Sequence, residues 1–109
     1  MEVQVRKVER GVVLAPSGDV DLSSSRELQG QIKTALGGKP ARLIVDLVGV
    51  GYMDSSGVAT LVEAMQIARR QSTDLILCNM QDKVRSIFEI ARLDRVFKIA
   101  ATLDAATSA

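Results

Sequence analysis

Leu43-Ile44-Val45-Asp46-Leu47-Val48, the loop Gly49-Val50-Gly51-Tyr52-Met53-Asp54-Ser55-Ser56-Gly57, and then Val58-Ala59-Thr60-Leu61-Val62-Glu63-Ala64-Met65 form the stretch that decides the fold. The first six residues are an almost unbroken aliphatic run of strand length. Such runs belong to strands covered on both faces, as in parallel sheets flanked by helices. Past the loop, Val58, Leu61, Val62 and Met65 recur at i, i+3, i+4 and i+7, while Glu63, Gln66, Arg69 and Arg70 fall elsewhere, which predicts an amphipathic helix. Leu75-Ile76-Leu77-Cys78 then supplies a second buried strand, completing a βαβ unit.

Upstream, Val3 and Val5, and less regularly Val8, alternate with Glu2, Gln4 and Arg6, as in a half-buried strand. Glu9-Arg10-Gly11 supplies a turn and Val12-Val13-Leu14-Ala15 the second arm of a hairpin, which Pro16 and Gly18 end or distort. Ser24 and Glu27 have capping-box spacing, Leu28, Ile32, Ala35 and Leu36 follow at helical spacing, and Gly37-Gly38 with Pro40 predicts the stop. Downstream, Asp82 reads as the N-cap of a helix carrying Val84, Ile87, Phe88 and Ala91 on one face, and Val96-Phe97-Lys98-Ile99 reads as a short last strand. The order is β-β-α-β-α-β-α-β, with residues 101–109 left as a terminal helix or a tail. The expected fold is an α/β domain over 1–109, its core at about 3–100. An antiparallel N-terminal hairpin is followed by right-handed parallel crossovers, with three to four helices.

Composition narrows the chemistry. The chain has 109 residues, 47% hydrophobic and 25% charged, which suits a folded globule with a real core. It contains no histidine, so a Ser-His-Asp or Cys-His nucleophile and an imidazole base are excluded. One cysteine without histidine excludes the usual structural zinc sites and an internal disulfide, and fits a cytoplasmic location. No apolar run approaches the ~18–20 residues that span a bilayer, so no membrane insertion is expected. A net charge of +1 with mixed signs, and only Tyr52, Phe88 and Phe97 as aromatics, argue against nucleic acid as a partner. A binding or switching module is expected, and no enzyme.

Functional groups in open α/β sheets gather at the carboxyl ends of strands, where loops meet helix N-termini. Tyr52-Met53-Asp54-Ser55-Ser56-Gly57 occupies such a place. Two adjacent hydroxyls at a helix start suit a phosphate acceptor, because unpaired amides and the helix dipole favour an anion there. Equally, Asp54 or Ser55 reads as an N-cap and nothing more. A nucleophile elbow fails, since Met53 stands where its first glycine is required and no base is available. Gly37-Gly38-Lys39 lacks the leading glycine of a phosphate loop and is better read as a helix stop.

Gly18-Asp19-Val20-Asp21, Tyr52-Met53-Asp54-Ser55-Ser56-Gly57 and the tail pattern Val84…Ile87-Phe88…Leu93…Phe97-Lys98-Ile99 together resemble the STAS family, in particular its free-standing bacterial anti-sigma factor antagonists. The resemblance runs from about Val3 to Ile99. It implies that the hydroxyl residue after the motif aspartate, Ser55, with Ser56 as second choice, is phosphorylated by a partner that is both a serine kinase and an anti-sigma factor. The unphosphorylated form would bind that partner and release the sigma factor, and a metal-dependent serine/threonine phosphatase would restore it. Asp21, matching the acidic residue of the family's Gly-x-x-Asp turn, would touch the partner, as would Asp54, Ser56 and Gly57; the same Asp21 also reads as a plain turn or N-cap residue. Tyr52 and Val58 are expected on the docking rim, and Met53, at a loop end, would contact the partner if exposed. No cofactor is implied. Members often continue the motif Gly-Leu-Gly where this chain has Gly57-Val58-Ala59, and alanine firms the first helical turn. Two other classes fit the same fold: a transporter accessory subunit, as in a phospholipid-transport complex, binding its ATPase subunit; and, behind it, a nucleotide-binding protein.

Overall fold

In the computed structural model, which describes residues 1–108, a five-stranded sheet is built in simple sequence order. The strands are β1 (Glu2–Val8), β2 (Gly11–Ser17), β3 (Arg42–Asp46), β4 (Asp74–Cys78) and β5 (Lys98–Ala100). β1 pairs antiparallel with β2, and β2, β3, β4 and β5 run parallel. The crossovers are α1 (Ser25–Gly37), α2 (Ser55–Arg70) and α3 (Asp82–Ile90), the last followed by a 3-10 turn at Leu93–Arg95. A short helix, α4 (Leu103–Ser108), closes the described chain.

Crossovers of one hand that always step toward the same edge put every crossover helix on the same face. The core follows this rule. Leu14, Leu43, Val45, Leu47, Leu75 and Leu77 point to the helical face and pack with Leu28, Ile32, Leu36, Leu61, Val84 and Phe88. Their in-between neighbours Val13, Ile44, Ile76 and Cys78 point to the other face, under Ala106 of α4. Both faces of the central strands are covered, hence the unbroken aliphatic runs. Phe88 and Phe97 meet edge to face, centroids 5.5 Å apart, and tie α3 to the start of β5.

Several expectations are corrected locally. β2 runs on through Pro16 to Ser17, because β3 pairs with β2 only as far as Leu14 and a proline beyond that point breaks no ladder bond on that side. Gly18, at φ 104°, then turns the chain. Val5 is exposed although it alternates correctly, since β1 is an edge strand that outruns its helical cover. Ser24 and Glu27 do not form a capping box. The Ser24 hydroxyl donates to the Asp19 carbonyl at 2.7 Å, and Glu27 takes the N-terminal ammonium of Met1 at 2.9 Å. The α3 cap is Gln81, with Asp82 as the first helical residue. β3 stops at Asp46, leaving Val48 exposed, and β5 begins only at Lys98. Of the last nine residues, Ala101 and Thr102 form a bend and Leu103–Ser108 a helix; Ala109 lies outside the described residues.

Candidate functional site

The loop between β3 and α2 is clamped from both sides. On one side the Gly18 amide donates to the Gly49 carbonyl, Val20 donates to Tyr52, and Asp54 donates back to Val20, at 2.9–3.0 Å. On the other side Gln81 Nε2 donates to the Val48 carbonyl at 2.8 Å, and Asn79 Nδ2 donates to the buried Asp46 carboxylate at 3.0 Å. The turn before α1 and the turn before α3 thus fix the entry to α2. Gly57 is needed for this fit: a Cβ there would stand 2.6 Å from Met53 Cγ and 2.7 Å from Val20 Cγ1. The first turn of α2 sits directly on the Val20–Met53 bridge.

Asp54 is the N-cap. Its Oδ1 accepts from the amides of Ser56 and Gly57 at 2.9 and 3.3 Å and from the Ser56 hydroxyl at 2.6 Å. The Ser56 hydroxyl, with help from the amides of Gly57, Ser56 and Leu22, holds this carboxyl below the usual aspartate value. The Leu22 contact brings the turn of Asp21 beside the start of α2. Asp21 is likewise lowered, first by the Ser23 hydroxyl at 2.6 Å, and its Oδ1 also takes the amides of Ser23 and Ser24. Asp21 is thus a turn residue and Ser24 the N-cap of α1, and the Asp21 carboxylate is partly exposed.

The two serines differ sharply. Ser56 spends its hydroxyl on Asp54. Ser55 is the first helical residue and exposed, and among the described residues its hydroxyl makes no hydrogen bond. Ser55 stands on the lip of a groove of about 430 Å³ lined by Tyr52, Met53, Asp54, Val58, Ile87 and Ala91. Tyr52 is half exposed and Val58 half-buried. Met53 is corrected: it is fully buried and shapes the groove from beneath, because its side chain fills the space between Val20 and α2. Ser56 and Gly57 likewise hold the backbone and are not free surface. The far wall, Ile87 and Ala91, was not singled out for the site in the sequence. The signal was a surplus: α3 has more apolar residues than its buried Val84 and Phe88, and Ile90 is 85% exposed.

With this geometry in hand, a family model described as the STAS domain matches residues 2–106, and the chain belongs to that family. The anti-sigma-B factor antagonist of Bacillus subtilis is 27% identical over 101 residues, covering 93% of this chain and 92% of the relative. The crystal structure of an anti-sigma factor antagonist from Mycobacterium paratuberculosis superposes with a TM-score of 0.91 at 22% identity, covering 98% of this chain and 91% of that one. The Bacillus cell fate determinant SpoIIAA, in its phosphorylated form, gives a TM-score of 0.76 at 26% identity, with 98% and 97% covered. Among the described residues no helix is long and apolar enough to cross a membrane.

Proposed function

We propose that this chain is an anti-sigma factor antagonist that works as a phosphorylation-controlled binding switch, with Ser55 as the modified residue. One observation carries the reading: of two adjacent serines at the start of α2, only Ser55 presents an unbonded, exposed hydroxyl, and it does so on the lip of an apolar groove. The similarity to SpoIIAA, whose structure is known phosphorylated, and to the Bacillus subtilis antagonist supports it. The unmodified groove, with Tyr52 and Val58 on its rim and Asp21 and Asp54 beside it, receives an anti-sigma factor that is also a serine kinase. A metal-dependent serine/threonine phosphatase reverses the modification. The protein acts in the cytoplasm.

The off state follows from charge and volume. Phosphorylation adds about 1.5–2 negative charges where Asp54 and Asp21 are already anionic. Two like unit charges ~5 Å apart at an effective dielectric of ~20 repel by about 3 kcal/mol, and 1.4 kcal/mol already weakens binding about tenfold. The new group also fills the lip that a close-fitting partner needs. Intact-mass measurement after incubation with the purified kinase and ATP tests the reading. One phosphoryl on the unmodified sequence and none on Ser55→Ala is expected. Undiminished labelling of Ser55→Ala moves the site elsewhere.

A further inference from the structure

α4 stands alone on its side of the sheet. Within the described residues α4 covers six, Leu103–Ser108. The docking is slight. Ala106 is its buried residue, Leu103 is half-buried, and Arg42 Nη1 donates to the Ala106 and Thr107 carbonyls at 3.2 and 2.9 Å. Arg42 is itself steadied by Asp74, 3.6 Å away, which also holds Lys98 at 2.6 Å. The main core lies on the opposite face and draws nothing from α4. Under α4, by contrast, Ile44, Ile76 and Cys78 are almost wholly hidden from water.

We propose that α4 is a detachable strap: it lifts from the sheet as a unit while the rest of the fold stays assembled, baring the strip Ile44, Ile76 and Cys78. Local opening of this kind needs a segment with few buried contacts over a core that stands without it, and both conditions hold here. A single cysteine makes the motion readable. Under the strap, burial and the nearby Asp46 carboxylate push the Cys78 thiol up to about 12, so alkylation requires opening.

The test is iodoacetamide labelling of the chain at pH 8 across a urea series, followed by mass. Labelling at low urea is expected to depend on urea far less steeply than global unfolding does. Arg42→Gln removes the clip and raises the low-urea rate about tenfold, the worth of hydrogen bonds from a charged donor. Lys98→Gln, which alters the same ion cluster through Asp74 and removes no hydrogen bond to an α4 carbonyl, leaves the rate unchanged. Ala106→Asp undocks the strap, so this variant labels fast yet keeps one cooperative thermal transition. Three results overturn the proposal: a labelling rate that tracks global unfolding at every urea concentration, a wild-type rate in Arg42→Gln, or loss of cooperative folding in Ala106→Asp.

Discussion

Asp54 does two things with one oxygen. By accepting from the amides of Ser56 and Gly57 it satisfies donors that the first turn of α2 cannot pair internally, and by accepting the Ser56 hydroxyl it leaves Ser55 as the free alcohol. Replacing it therefore has a pH signature. The folded carboxyl titrates below its unfolded value, so its contribution is complete above about 3.9 and fades as pH falls through the lower folded value. Urea titrations of wild type and Asp54→Ala should show the variant clearly less stable at pH 7 and the gap narrowing toward pH 2. A gap constant with pH would mean that the charge contributes nothing. Asp54→Asn, which keeps an acceptor, should lie between the two at pH 7.

At the scale of elements, two glycines in helices predict opposite outcomes for one substitution. Gly30 lies in α1 with nothing within 4 Å of a built Cβ, so Gly30→Ala should stabilise by about 0.5–1 kcal/mol through helix propensity. At Gly57 the same change drives a methyl into Met53 and Val20, and overpacking of that kind costs about 1–3 kcal/mol. Chemical denaturation of the two single variants should give shifts of opposite sign, and a stabilised Gly57→Ala would refute the tight seat of α2. This contrast also marks what was legible in the sequence. Strands and helices were, because two-sided burial writes aliphatic runs and helical burial writes a 3.6-residue period. The seat of Gly57, the Asp54–Ser56 bond and the groove were not, because each depends on how residues distant in sequence or rotatable about one bond come to rest. Ile87 reaches the groove only because α3 lies beside the start of α2. The false capping box at Ser24 failed for a related reason: the upstream turn supplies the hydroxyl oxygen with another donor, the Asp21 amide at 3.0 Å, and the Met1 ammonium draws off Glu27.

For the molecule as a whole, crossovers of one hand leave every β-to-α loop at the carboxyl edge of the sheet, where the turns at Gly18–Asp21, Val50–Asp54 and Asn79–Gln81 brace one another. The phosphoryl group proposed at Ser55 would meet this edge from outside, where no buried contact has to break, so the proposed switch would require no rearrangement of the scaffold. The groove wall contributed by α3 gives an independent check that leaves the proposed phosphosite, Ser55, intact. Ala91 is exposed at the C-terminal end of α3, where a cation is electrostatically welcome, so Ala91→Arg should hold stability within about 0.5 kcal/mol while its long side chain obstructs the groove. Calorimetric titration with the proposed partner kinase should then show at least about a tenfold loss of affinity with an unshifted thermal midpoint. Wild-type affinity in Ala91→Arg would place the partner on the Asp21 side of Ser55 and away from α3. Equal weakening by Ala91→Arg and by phosphorylation, without further loss when both are present, would mean that the two act on one contact, the partner element that fills the groove beside Ser55.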